Sequence, residues 1–300
     1  MPGPPSSRTA EEIASQPECW RRAAALAPER AAALPHPGER TAVVGCGTSW
    51  FVAQAYAVLR EAAGHGETHA FAASEFPTGR RYDRVLALTR SGTTTEVLAL
   101  LERLRGTGPA LSAVTADPDA PVTGAVRESV VLGFADERSV VQTRFATTTL
   151  ALLRAHLGED LAPAVRDAER LPDAPPAPAL AEAGQFTFLG TGWTVGLAHE
   201  AALKMREAAG AWTESYPAME YRHGPVSITG PGRVVWVFGP LPDGLDRDVA
   251  AAGGTLVADG AALDPMADLV RVQRLAVTLA AARGLDPDRP RNLTRSVVLR

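Results

Sequence analysis

Residues 41–63 read TAVVGCGTSWFVAQAYAVLREAA, and the fold of the chain turns on them. Thr41-Ala-Val-Val44 has the length and apolarity of a short buried strand, Gly45-Cys-Gly-Thr-Ser49 is a tight turn, and Trp50 to Ala63 reads as a helix. Strand, glycine-rich turn and helix in that order bring backbone N–H groups and the hydroxyls of Thr48 and Ser49 to a helix N-terminus. Aligned peptide dipoles make such an end a seat for phosphate. The two glycines are equally well accounted for by a close turn alone. A dinucleotide fingerprint would need a third glycine where Trp50 stands.

The pattern continues downstream. Thr68–Ala73 reads as a second strand, followed by Ser74-Glu75-Phe76, and Val85–Leu88 as a third. The third runs into Thr89-Arg90-Ser91-Gly92-Thr93-Thr94-Thr95-Glu96 and a helix from Thr95 to Arg105. Six of those eight side chains can donate a hydrogen bond. A hydroxyl-dense turn with no cluster of metal-binding carboxylates suits a phosphomonoester better than a magnesium nucleotide. A plain helix N-cap would need only one of the five hydroxyls. Leu111–Thr115 and Val130–Gly133 are further strands, and Ser139–Leu157 reads as a long helix with Gln142 and Thr143 near its start. Strands alternating with helices over 41–157 predict a three-layer α/β unit with a mainly parallel sheet, whose ligands lie at the carboxyl ends of the strands.

After a proline-rich stretch, LPDAPPAPAL at 171–180, the first unit starts again. Phe186-Thr-Phe-Leu-Gly-Thr-Gly-Trp-Thr194 parallels the run from Thr41 to Ser49, and Arg206-Glu-Ala-Ala-Gly210 parallels Arg60-Glu-Ala-Ala-Gly64. The expectation is an internal duplication. Its second half has strands at Val234–Phe238 and Thr255–Val257 and a helix at Met266–Arg283. The domains predicted are an N-terminal helical segment over 1–36, a first α/β domain over 37–170, a linker over 171–183 and a second α/β domain over 184–300. In the first segment a disordered start precedes a capping box with Thr9 as N-cap and Glu12 at the third helical position, and Trp20–Leu34 is an Ala-rich amphipathic helix.

Composition excludes several classes. A hydrophobic content of 46% without an apolar run near 18 residues predicts a soluble protein with a sizeable core rather than a membrane span. The first 16 residues lack the basic and apolar regions of a secretion signal. Cys19 and Cys46 are too few for a disulfide framework or zinc site, which fits a reducing cytoplasm. A net charge of −4 without a basic cluster argues against nucleic acid as partner. Lys204 is the single lysine, whereas arginine supplies the other basic residues. Where arginine has replaced lysine elsewhere, the survivor is a candidate for work that needs a primary amine.

Lys204 lies in HEAALKMREAAGAWTESYPAMEYRHGP, residues 199–225. At 3.6 residues per turn Glu200, Lys204 and Glu207 share one helix face, and a loop after it carries Glu214, Glu220 and His223. Carboxylates, an ammonium and an imidazole make a set of proton donors and acceptors. The plainer reading of the same spacing is a solvated salt bridge on an outer face.

GCGTS at 45–49, ASEF at 73–76, SGTTTE at 91–96, EAALKMRE at 200–207, RHGP at 222–225 and PRNLTRSV at 290–297 together resemble the sugar isomerase (SIS) domain family. The resemblance is greatest to the isomerase half of glucosamine-6-phosphate synthase and to stand-alone deaminase-like relatives, and it covers roughly residues 9–300. It implies two tandem SIS domains, each a three-layer α/β/α sandwich with a five-stranded parallel, flavodoxin-like sheet. It also implies that Ser49, Thr89, Arg90, Ser91 and Thr94 bind phosphate, with Gln142 near the sugar hydroxyls. Glu207 then corresponds to the base that moves a proton between C1 and C2, Lys204 to a substrate-contacting lysine, and His223 to the histidine that assists ring opening in the neighbouring subunit of a homodimer. The family's Schiff-base lysine falls on Arg295, whose guanidinium cannot form an imine but can clamp an anion.

The family synthase carries an amide-hydrolysing domain in front, with a cysteine after the initiator Met; here Pro2 follows Met1. The expectation is therefore a cytoplasmic isomerase or deaminase of a hexose or hexosamine 6-phosphate, without metal or cofactor and without an ammonia-generating domain. The alternatives are a non-catalytic sugar-phosphate sensor and a deglycase of fructosamine phosphates. The first is weakened by the lack of a preceding helix-turn-helix.

Overall fold

A computed structural model describes residues 7–259 and 262–299. Helix α1 (Arg8–Ala14) starts at Ser7, whose Oγ accepts from the Ala10 N–H at 3.1 Å, so Ser7 is the N-cap and not Thr9. Thr9 instead donates its hydroxyl to Asp288 at 2.7 Å, and Glu12 accepts from the Arg138 N–H at 2.6 Å. The residues of the expected capping box are spent on tertiary contacts. Helix α2 (Gln16–Leu26) and a 3-10 turn (Pro28–Ala33) follow.

Next come β1 (Thr41–Gly45), α3 (Thr48–Ala62), β2 (Thr68–Ala72), β3 (Arg84–Leu88), α4 (Thr95–Leu104), β4 (Ala110–Thr115), α5 (Pro121–Ala125), β5 (Glu128–Val131) and α6 (Arg144–His156). The five strands form one parallel sheet in the order β2-β1-β3-β4-β5, with Val43 opposite both Ala70 and Leu86. All five residues of β1 and of β3 are buried, as a strand covered on both faces requires. Ala42, Val44, Val85 and Ala87 pack against Val97, Leu100 and Leu101 of α4, whose apolar stripe faces the sheet. The helix expected over Ser139–Leu157 begins only at Arg144, because Glu137 folds back to cap it. Its carboxylate accepts from the N–H groups of Thr143 at 2.5 Å and Arg144 at 2.8 Å.

Helices α7 (Ala162–Arg170) and α8 (Pro178–Ala181) lead to β6 (Gln185–Gly190), α9 (Thr194–Ala209), β7 (Trp212–Pro217), β8 (Arg233–Phe238), α10 (Leu245–Ala251), β9 (Thr255–Val257) and α11 (Pro265–Ala282). The second sheet is parallel in the order β7-β6-β8-β9, four strands among the described residues where five were expected. The reason is chain length. Between β4 and α6, residues 116–143 leave room for α5 and a fifth strand, whereas only residues 258–264 separate β9 from α11. The loop predicted after α9 starts instead as edge strand β7, which carries Glu214.

By contacts the chain forms two compact units. One comprises the described residues of Met1–Pro17, Arg138–Val141 and Ala162–Leu293, and the other Glu18–Glu137, Gln142–Leu161 and the described part of Thr294–Arg300. Chain order and unit membership differ from the boundaries read from sequence. Helix α1 belongs with the second sheet and the C-terminal residues from Thr294 with the first.

Candidate functional site

In the unit of the first sheet, the two expected phosphate turns lie at the carboxyl ends of β1 and β3. A Cβ on Gly45 would sit 2.7 Å from the backbone carbonyl carbon of Ser49, so this position excludes any larger residue. Gly190, at the same place in the second unit, would clash in the same way with Thr194 at 2.3 Å. Close passage of the helix over the strand end therefore accounts for both glycines without a ligand. Any anion-binding capacity rests on the helix N–H groups and on Thr48 and Ser49, which are buried at the start of α3.

The second turn is more informative. Thr94 is the N-cap residue of α4, yet its side chain makes no capping bond. The hydroxyl-rich sequence is thus not explained by capping. Thr89 is 3% exposed, and its Oγ1 has no hydrogen-bond partner. The Nε2 of Gln142 is likewise buried and unpartnered. An unpaired buried polar group costs about 1–3 kcal/mol, so each of the two is suited to take a water or a polar ligand as partner. Ser91 accepts from the Thr93 hydroxyl at 3.0 Å, and Thr93 in turn reaches the Ser296 hydroxyl at 2.9 Å.

Arg90 and Arg295 have other duties than the resemblance implies. Arg90 pairs with Glu137 at 3.2 Å, the two side chains being 4% and 0% exposed, and donates to the Arg295 carbonyl at 3.0 Å. Arg295 donates to the Glu137 carbonyl and contacts the Asp136 carboxylate. The anion Arg295 clamps is a carboxylate of its own chain. The tail continues across the start of α4, where Thr95 N–H donates to the Val297 carbonyl at 3.2 Å and Leu299 N–H to the Thr95 hydroxyl at 2.9 Å. Glu137, which sequence reading passed over, ties Arg90, the start of α6 and the tail together. An acidic residue shortly before a helix start was its only signal.

In the other unit, Glu200, Lys204 and Glu207 share one face of α9, as the spacing requires. That face is interior. Lys204 and Glu200 are each 1% exposed, with Nζ and Oε1 3.6 Å apart, and Nζ also donates to Glu207 Oε2. Glu207 keeps 19% of its side chain accessible. A solvated surface pair is excluded. Charges are buried here in mutual contact, which is how such groups are tolerated.

Glu207 lines a cavity of about 580 Å³ together with Arg206, Arg283, Asp286, Arg289 and Arg291. The neighbouring His199 meets the Ser215 hydroxyl at 2.8 Å. Burial and the nearby Arg206 guanidinium push its pKa down, favouring the neutral ring. His223 follows a 3-10 turn (Glu220–Arg222) and is exposed. Glu214 accepts from the Tyr216 hydroxyl at 2.7 Å, and burial with that carboxylate pushes the Tyr216 pKa up to about 12. Among the described residues no group of three or more His, Cys, Asp or Glu could hold a metal ion, and no helix is long and apolar enough to cross a membrane.

No protein-family model matches the sequence. The chain is 30% identical to the isomerizing glutamine–fructose-6-phosphate aminotransferase of Nostoc sp. (strain PCC 9229), over 87% of this chain and 52% of that protein. It spans about half the length of the curated relatives it matches. Among solved structures it superposes on the glucosamine-6-phosphate deaminase of Thermotoga maritima with a TM-score of 0.81 and 23% identity, over 98% of this chain and 100% of that one. The C-terminal domain of the glucosamine–fructose-6-phosphate aminotransferase of Francisella tularensis gives a TM-score of 0.77 at 19% identity, over 97% of this chain and all of that domain.

Proposed function

From a chain that is a relative of the glutamine–fructose-6-phosphate aminotransferases and has the fold of SIS-type phosphosugar isomerases, we propose a sugar-phosphate isomerase or deaminase. It acts on a hexosamine or hexose 6-phosphate by moving a proton between C1 and C2. The observation that carries this reading is the interior Glu200–Lys204–Glu207 face, in which the one carboxylate with an accessible edge is Glu207.

Each set of residues has its task. Ser49, Thr48, Thr89, Ser91 and Thr94 hold the phosphate, the Thr89 hydroxyl gaining the partner it otherwise lacks. Gln142 gives its unpartnered Nε2–H to a sugar hydroxyl. Glu207 removes the proton from the carbon next to the carbonyl or imine and returns it to the neighbouring carbon. Lys204, in contact with Glu207, fixes the carboxylate's orientation and compensates charge on the enolised intermediate. Proton transfer by a positioned side chain is worth about 10²–10⁴ in rate. The exposed His223 assists ring opening, serving the neighbouring subunit of a homodimer. Arg90 and Arg295, tied to Glu137 and Asp136, brace the phosphate turn rather than touch the anion.

The test is incubation with glucosamine 6-phosphate and with fructose 6-phosphate in D₂O, following ammonia and deuterium at C1 and C2. Deuterium incorporation with either sugar is expected. Binding without exchange or ammonia release from both would leave a sugar-phosphate sensor as the better reading.

A further inference from the structure

At the end of the first sheet opposite the hydroxyl turn, the amino ends of β1, β3 and β4 border a cavity of about 800 Å³. Its floor is apolar, formed by the buried side chains of Phe76, Val85 and Leu104, and its rim carries Arg40, Arg80 and Arg81. Aromatic rings hold two of these guanidiniums in place. That of Arg40 lies 5.3 Å from the centre of the Tyr82 ring, and that of Arg80 lies 5.8 Å from the centre of the Phe71 ring. Tyr82 is itself fixed, with its hydroxyl 2.9 Å from Nδ1 of His69. Stacking on a ring orients a guanidinium without using its N–H donors. Arg40 is also paired with Glu67 at 2.9 Å, whereas the side chains of Arg80 and Arg81 make no hydrogen bond or ion pair among the described residues. The rim then sets two guanidiniums against the one carboxylate of Asp83, which accepts from the Arg40 N–H at 2.7 Å. The loop bearing both arginines is closed by a turn, in which the Arg80 N–H donates to the Pro77 carbonyl at 3.1 Å.

We infer that this cavity is a second ligand site, for a phosphate ester with a flat, largely apolar body, and that the class it takes is the nucleoside monophosphates. The planar fork of arginine pairs with phosphate through two parallel hydrogen bonds, so Arg80 and Arg81 hold the phosphate. The base covers Phe76, Val85 and Leu104 and takes that apolar surface out of water. A volume of about 800 Å³ is within the range of small-molecule sites and exceeds what inorganic phosphate fills. A hexose phosphate fits the floor poorly, because its hydroxyls would meet three side chains that carry no polar group. The site differs from the hydroxyl turn in place and in ligand, and it does not depend on the proposed function.

The experiment titrates the protein calorimetrically at low ionic strength with AMP, GMP, CMP and UMP, and with the matching nucleosides and ribose 5-phosphate as the two parts of the ligand. At least one nucleotide should bind, about tenfold more tightly than its nucleoside and than ribose 5-phosphate. The advantage over the nucleoside should collapse towards one in an Arg80→Gln, Arg81→Gln variant and in high salt. Both arginines are exposed, so the substitutions leave the core intact. Binding of none of the four nucleotides overturns the inference, as does equal affinity for a nucleotide and for ribose 5-phosphate. So does undiminished nucleotide affinity in the double variant. Displacement of the nucleotide by glucosamine 6-phosphate also overturns it, since the two would then share the sugar-phosphate site.

Discussion

The guanidinium of Arg90 and the carboxylate of Glu137 lie 3.2 Å apart with both side chains inside the protein, 47 residues apart in sequence. The same carboxylate caps α6 through Thr143 and Arg144, and its residue's carbonyl holds Arg295. The pair joins the end of β3, the start of α6 and the C-terminal tail in one knot.

Removing one partner should therefore cost more than an ordinary ion pair. Glu137→Ala leaves a buried guanidinium uncompensated and two helix N–H groups uncapped, and about 3–5 kcal/mol of stability should be lost. Urea unfolding followed by circular dichroism reads the loss. A change below 1 kcal/mol would mean that water replaces the carboxylate.

Thr89→Val should act in opposite directions on stability and binding. The hydroxyl has no partner in the structure, so replacing it with an isosteric methyl should leave the protein as stable or raise its stability by about 1 kcal/mol. Affinity for the sugar phosphate should fall by about tenfold if this hydroxyl meets the phosphate. Thermal denaturation with and without glucosamine 6-phosphate measures both effects at once.

Glu207→Gln keeps the shape of the side chain and removes its basicity. Deuterium exchange at C1 and C2 should drop by about 10²–10⁴, with the dissociation constant for the sugar phosphate nearly unchanged. Parallel loss of affinity and exchange would assign Glu207 to binding instead.

Acid should destabilise the fold through two histidines. Burial lowers the pKa of His156, with His36, His65 and Arg60 adding repulsion, and burial with Arg206 lowers that of His199. The unfolded chain takes up these protons near the ordinary value of 6.5 while the folded one resists them. Stability is complete above that pH and falls as the pH drops through 6.5 towards the folded values. The urea midpoint should decline between pH 7.5 and 5.5, and His156→Gln should flatten part of that decline.

Much of the architecture was legible because it depends on local pattern. The runs TAVV and FTFLG are apolar but for one threonine each and are buried at every position, as in strands covered on both faces, and a glycine stands at both strand ends, at Gly45 and Gly190, where the next helix passes closely. The start of a second parallel sheet at Phe186 was legible for the same reason. Spacing alone also placed Glu200, Lys204 and Glu207 on one helix face. Strand β7 was missed because Trp212–Pro217 is an edge strand without an apolar run, and the five strands expected of the second sheet came from the family resemblance, whereas four lie among the described residues.

What lies beyond neighbouring residues was decided by the tertiary structure. Whether the α9 face meets solvent or the interior depends on what packs over it, and burial of Lys204 turns an ordinary spacing into a candidate site. Arg295 reads in sequence as a group able to clamp an anion, but nothing local names the anion; Asp136 and Glu137 engage it from 158 residues away or more. Periodicity reports which side of an element is apolar, because that information repeats every two or 3.6 residues. Pairing of charges across the chain has no period, and only the folded backbone brings those groups within hydrogen-bond distance.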